Sequence, residues 1–232
     1  MTRALRAFSS EEKKAILPKF FKTKEGEYGF GDKFMGVTVP CTRKVAKQFS
    51  NVSLDVVEGL LESEWHECRL CALLILVEKF SAHIKNEATI SKTAEIVEFY
   101  LSHTQGVNNW DLVDLSAPYI LGKYLLDKQD RSILYTLAQS ENMWEQRISI
   151  VATLTLIRNN QLTDTLKLAE SFLATRHNLI QKATGWMLRE VGKKDEKALI
   201  DFLNKHKSQM PRTMLRYAIE RFNPLQRKEF MG

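Results

Sequence analysis

An indole and a carboxylate stand four residues apart in Asn108-Asn109-Trp110-Asp111-Leu112-Val113-Asp114-Leu115-Ser116-Ala117. On a helix that spacing puts Trp110 and Asp114 on one face. A carboxylate so placed can stabilise positive charge developing on a sugar carbon, or orient the attacking water, as one carboxylate of a glycosidase does. An indole face adds cation–π attraction. The surroundings make the acid conspicuous. Glu67-Cys68-Arg69-Leu70, Glu145-Gln146-Arg147-Ile148, Ile180-Gln181-Lys182-Ala183 and Met210-Pro211-Arg212-Thr213 align with Leu112-Val113-Asp114-Leu115, and Arg43 of Pro40-Cys41-Thr42-Arg43-Lys44 joins the same register. All offer a cation there except the segment with Asp114. Stacked side by side, they form a basic strip holding one carboxylate, which suits a polyanion that must also react.

The elements that would position these residues are helices. Apolar residues recur with a period near 3.6 almost throughout, and no run alternates with period 2 between turn signals. The chain is therefore expected to be all-α. Ser9-Ser10-Glu11-Glu12, Ser53-Leu54-Asp55, Ser63-Glu64, Ser140-Glu141-Asn142 and Thr163-Asp164 mark helix starts, each supplying acceptors or acids to a first turn. The register positions fall 26 to 45 residues apart, the range of HEAT and armadillo helix pairs. The expected architecture is one domain over residues 1–232, a right-handed solenoid of HEAT-like antiparallel helix pairs with a basic concave face. Thr23 to Pro40, with Gly26, Gly29, Gly31 and Gly36 around Tyr28, Phe30 and Phe34, reads as a structured loop. Its glycine spacing is not the dinucleotide fingerprint, and no strand precedes it.

A chain of 232 residues that is 44% hydrophobic can bury a substantial core. The net charge of +6 is a modest signal for a phosphate-bearing partner. No apolar run reaches the ~18 residues of a membrane span. The N-terminus has no apolar leader core, so a soluble, cytoplasmic protein is expected. Cys41, Cys68 and Cys71 are too few for a disulfide framework. Cys68-x-x-Cys71 lies inside a helical pattern with no second pair, which favours buried packing thiols. The five histidines show no ligand spacing, so neither metal nor cofactor is expected.

Asn109-Trp110-Asp111-Leu112-Val113-Asp114, Trp144-Glu145-Gln146-Arg147, Gln181-Lys182-Ala183-Thr184-Gly185-Trp186-Met187-Leu188-Arg189-Glu190 and Gly31-Asp32-Lys33-Phe34-Met35-Gly36 together resemble the AlkD-like DNA alkylation repair proteins, DNA glycosylases built from HEAT-like repeats. The resemblance runs from about Phe20 to about Arg221. It implies excision of N3- and N7-alkylated purines from duplex DNA, without metal or cofactor, by a protein expected to act as a monomer. It makes Asp114 the catalytic carboxylate, Trp110 and Trp186 the aromatic pair flanking the lesion's sugar and backbone, and Arg147 the phosphate-holding arginine. It also implies that the base stays stacked and is not drawn into a pocket. Tyr28, Arg43, Arg69, Lys182, Arg189 and Arg212 complete the expected DNA-contacting set.

Blander roles compete. Asp111 reads as structural at the first turn of its helix. Trp65 and Trp144 read as core residues. Arg43, Arg69 and Arg212 have a second reading, as partners of acids such as Glu67 or Glu220. Gly185 beside Trp186 favours an open, DNA-facing position for that indole. A non-catalytic DNA-binding or repair scaffold of the same fold is the alternative function, although a scaffold has no need of Asp114, Trp110, Arg147 and Trp186 together.

Overall fold

The computed structural model describes residues Met1–Gly232 and is built of α-helices, with a single isolated bridge between Lys33 and Trp65 in place of any sheet. Its contacts gather into two compact units, Met1–Ile120 and Leu121–Gly232, where the sequence reading treated the chain as one domain.

The first unit contains α1 (Thr2–Arg6), α2 (Glu11–Phe20), α3 (Val39–Gln48), α4 (Leu54–Leu61), α5 (His66–His83), α6 (Lys92–Ser102) and α7 (Trp110–Asp114). Helix α5 is its axis, and α1, α3, α4, α6 and α7 all pack on it. Every residue from His66 to Leu76 is buried, so α5 is enclosed all round and its polar members must be satisfied internally. Cys68 and Cys71 are part of that enclosed surface, and burial pushes the Cys71 thiol up to about 12. Both are packing thiols, as expected. The loop between α2 and α3 ends two residues earlier than anticipated, because Val39 and Pro40 open α3, where a proline's missing N–H costs nothing. The loop is firmly seated. Phe34, Met35, Gly36 and Val37 are buried. Gly36 takes φ +81°, and a Cβ there would stand 2.3 Å from the Ser10 carbonyl oxygen, so only glycine fits.

The second unit contains α8 (Ser132–Ala138), α9 (Met143–Arg158), α10 (Thr163–Ser171), α11 (Asn178–Lys194), α12 (Glu196–His206), α13 (Arg212–Ala218) and α14 (Pro224–Met231). Here α11 is central, packed against α9, α10, α12 and α13. Asn142 caps α9, Asp195 caps α12, and Asn223 with Gln226 forms a capping box on α14, each satisfying N–H groups that the first turn leaves unpaired. Gly185 is buried where α11 meets α13, and a Cβ there would lie 2.4 Å from the Met214 carbonyl oxygen and 2.6 Å from the Tyr217 Cβ. Its role is close helix approach. That corrects the reading of Gly185 as a sign of an open face.

Candidate active site

Helix α7 is only five residues long, too short to hold itself together. Its seat is made by side chains. Asn109 is fully buried; its amide oxygen accepts from the Trp110 N–H at 2.8 Å, and its Nδ2 donates to Asp32 Oδ2 at 3.1 Å. The start of α7 is thereby tied to the loop that carries Asp32. One turn on, the half-buried Trp110 and Asp114 face the same cavity of about 380 Å³.

The wall of that cavity is aromatic. Phe21 stacks on Trp110 with ring centres 5.3 Å apart and planes 19° apart, and on Phe34 at 5.0 Å and 18°. Phe34 in turn stacks on the His66 imidazole at 4.7 Å and 25°. Phe20, 57% exposed, meets Trp110 edge-on at 5.7 Å. Offset stacks of this kind add roughly 0.5–1.5 kcal/mol per pair beyond burial, so the wall fixes the plane of the Trp110 ring.

Behind the wall lies a buried charge network. His66 Nε2 stands 2.9 Å from Asp111 Oδ2, and Nδ1 stands 3.1 Å from Asp32 Oδ2. Arg69 reaches Asp32 Oδ1 at 2.5 Å and donates to the Ser63 carbonyl at 2.7 Å. Burial opposes a charge on His66, but the carboxylates of Asp111 and Asp32 outweigh it and lift the imidazole to about 9. Burial likewise works against an ionised Asp32, and the His66 hydrogen bond and the Arg69 charge hold its carboxyl below the usual value. The imidazolium therefore donates from both nitrogens and joins α5, α7 and the loop. Asp111 is structural, as expected from sequence. Glu67, also buried, accepts backbone N–H bonds from Met35, Gly36 and Val37 at 2.8 to 3.1 Å, which presses Phe34 and Val37 into the cavity wall. No group of three or more His, Cys, Asp or Glu side chains converges as a ligand set for a metal ion.

In the second unit, Lys182, Trp186 and Arg189 share α11. Trp186 is half-buried, and its Nε1 donates to Glu190 Oε1 at 3.3 Å. Arg189 is paired with Glu220 and lies 3.8 Å from Glu190. Arg147 is 5% exposed, and its Nη1 donates to the Leu179 carbonyl at 2.7 Å, tying α9 to the first turn of α11.

The family whose description is DNA alkylation repair enzyme matches residues 1–222 of this chain. The chain belongs to that family. Its fold is similar to a structure titled "Predicted DNA alkylation repair enzyme from Enterococcus faecalis", with a TM-score of 0.69 at 16% identity, covering 93% of this chain and 97% of that one. Among curated proteins no sequence matches it.

Within this chain the predicted register is narrower than the sequence implies. Arg43, Asp114, Arg147 and Lys182 are each the fifth residue of their helix, whereas Arg69 is the fourth of α5 and Arg212 the first of α13. A second repeated feature agrees. Arg69, Gln146 and Gln181 each donate to the carbonyl six residues back, at Ser63, Ser140 and Thr175, so Arg69 aligns with the glutamines and not with Arg147 and Lys182.

Arg69, expected to contact DNA, is buried and donates to Asp32 and to the Ser63 carbonyl. Arg189, expected to contact DNA, is half-buried and paired with Glu220, and Arg212, also expected there, is exposed and donates to the Met231 carbonyl at 2.5 Å. Arg43 is exposed on α3, and Tyr28 is half-buried in the loop. Trp144 is core as expected, while Trp65 is half-exposed beneath the Arg6 guanidinium. The sequence reading missed His66, Asp32, Phe21 and Phe34. Their signal was faint: a histidine and an arginine inside an apolar helix, where burial demands partners.

Proposed function

We propose that this protein is a DNA glycosylase that removes cationic N3- and N7-alkylated purines from duplex DNA, with Asp114 as its catalytic carboxylate. The observation that carries this reading is the pairing of Asp114 and Trp110 on one face of a five-residue helix that a buried charge network holds in place. Such preorganisation is what electrostatic stabilisation of a transition state requires.

The chemistry asks little more of the protein. An alkylated purinium already carries the positive charge that a leaving base otherwise gains by protonation. As the C1′–N bond lengthens, its electron pair returns to the base, which departs neutral, and positive charge passes to the sugar. Asp114 stabilises that oxocarbenium-like sugar and orients a water whose oxygen bonds to C1′, the released proton leaving through the carboxylate to solvent. The products are the free base and an abasic site. Trp110 offers its face to the same positive charge, worth ~1–2 kcal/mol where water is excluded. Lys182 and Arg43 supply phosphate contacts. Arg147, anchored by its bond to the Leu179 carbonyl, keeps its reading as the phosphate-holding arginine, and Trp186 keeps its reading as the second aromatic contact to the lesion's backbone.

The deciding experiment is release of 3-methyladenine and 7-methylguanine from methylated duplex DNA in the presence of a chelator. Release that disappears in Asp114→Asn supports the assignment. DNA binding with no release by the wild type would make the protein a non-catalytic repair scaffold.

A further inference from the structure

In the second unit α11 lies between α9 and α13 and packs on both, so equivalent positions of the three helices stand side by side. Their fifth residues are Arg147, Lys182 and Arg216. Burial supports this pairing of α11 with α13, because the shift that carries Lys182 onto Arg216 also carries Ile180 onto Met214 and Thr184 onto Ala218, and all four of these are buried. Packing agrees. Gly185 of α11 is closed against Met214 and Tyr217, which puts those two residues on the contact face of α13 and turns Arg216 away from it, out to solvent.

The neighbouring charges are already engaged. Arg212, the other cation of α13, donates to the Met231 carbonyl at 2.5 Å. Glu220 stands four residues after Arg216 on the same helical face, but it is paired with Arg189. Arg216 itself is exposed and has neither an ion pair nor a side-chain hydrogen bond. An exposed arginine is ordinary, and Arg227 on α14 is another. The register sets Arg216 apart, since it repeats the place of Arg147 and Lys182, both of them phosphate contacts in the proposed glycosylase.

We propose that Arg216 holds a phosphate of its own on the duplex, extending to α13 the row formed by Arg147 and Lys182. Packed helices lie about 8–10 Å apart, whereas the phosphates of one strand follow one another at about 3.4 Å of axial rise, so side chains one helix apart meet different phosphates. A guanidinium suits the task, because its fork of N–H groups grips two phosphate oxygens at once. The contact carries no base information and adds affinity for any duplex. It rests on the reading of DNA as the partner, and it moves the last contact of the register from Arg212, which spacing alone suggested, to Arg216.

The test titrates the full-length protein with an undamaged, fluorescently labelled duplex at several salt concentrations. Arg216→Ala is expected to reduce the slope of log affinity against log salt by about one and to weaken binding roughly eightfold at about 0.1 M salt. Arg216→Lys keeps the charge and should keep the slope. Arg227→Ala removes a charge of equal exposure outside the register and should leave the slope as it is. Lys182→Ala combined with Arg216→Ala should lower it by about two, as two separate phosphates require.

An unchanged slope in Arg216→Ala, an equal loss in Arg227→Ala, a double variant that loses only about one, or no duplex binding by the wild type overturns the proposal. Release of alkylated base by a protein whose slope ignores Arg216 removes this contact and leaves the glycosylase reading standing. A slope that depends on Arg216 in a protein that releases no base does the reverse.

Discussion

The His66 imidazole lies 2.9 Å from the carboxylate of Asp111, and Asp111 is three residues before Asp114 on the same five-residue helix. The protonation state of a buried base on α5 is thereby coupled to the seat of the residue proposed to do the chemistry. With His66 charged, it donates to both Asp111 and Asp32. Without its proton it can donate to only one, and the other carboxylate is left buried against an acceptor.

The first prediction follows from that coupling. A group whose folded value is raised contributes stability that is fully present below its unfolded value, near 6.5, and lost as pH rises through about 9. Thermal midpoints should therefore fall between pH 7 and pH 10 by an amount reflecting on the order of 3 kcal/mol, and excision should decline over the same range. Asp32 works at the opposite end: its lowered value means that its contribution is lost only as pH falls below the ordinary carboxylate range. His66→Gln should lower stability at neutral pH and flatten the alkaline limb. An unchanged alkaline limb in that variant would place the titration elsewhere.

Asp114 and Asp111 should fail in different ways. Asp114→Asn leaves the network intact and should lower single-turnover excision by on the order of 10² or more, with DNA affinity unchanged or slightly raised. Asp111→Asn removes the counter-charge of a buried imidazolium and should destabilise the protein by about 3–5 kcal/mol. Denaturant unfolding beside single-turnover kinetics separates the two, and a catalytic loss in Asp111→Asn at full stability would contradict the assignment.

The legible part of this molecule was what depends on local pattern. Helical periodicity and caps such as Ser10, Ser53 and Asn142 gave the elements, and the spacing of Trp110 to Asp114 gave one face of one helix. What failed needed contacts distant in sequence. Arg69 looked equivalent to Arg147 because both sit near a helix start, but one residue of offset turns it toward Asp32, which lies 37 positions away. Arg189 was read as a DNA contact, and its pairing with Glu220, 31 positions on, has no trace in local spacing. Gly185 looked like an opening, although its missing side chain is what lets Met214 approach.

That last contact gives a prediction about packing. Gly185→Ala places a methyl against backbone, which cannot rotate away, and overpacking of this kind costs about 1–3 kcal/mol. The thermal midpoint should fall by roughly 2–4 °C per kcal/mol for a chain of this size. A midpoint equal to wild type would mean that α11 and α13 shift apart freely. The same substitution at Gly36 should cost more, since strain at φ +81° adds to the clash with Ser10.

The cations should separate by their burial. Lys182→Ala and Arg43→Ala should weaken binding across all duplex sequences and reduce the slope of log affinity against log salt by about one each. Arg189→Ala should leave that slope unchanged, because its charge is already matched by Glu220. Arg69→Ala should appear as lost stability. Titrations at several salt concentrations settle all four, and a reduced slope for Arg189→Ala would show that it leaves Glu220 for phosphate.

The substrate range follows from the acids at the site and what they are already doing. Asp111 faces the His66 imidazolium and Glu67 is occupied by three backbone N–H groups, so neither supplies a proton to a departing base. The imidazolium itself is committed to two carboxylates. A neutral lesion such as hypoxanthine or uracil then lacks the general-acid assistance that typically contributes a factor of ~10² to 10⁴. Cationic N3- and N7-alkylpurines should be excised and neutral lesions left, at a rate level through neutral pH until His66 deprotonates near 9. A panel of lesion-bearing duplexes at one enzyme concentration, repeated from pH 6 to pH 10, measures both features. Efficient uracil release would identify a proton donor at this site and replace the charge-driven mechanism with acid catalysis.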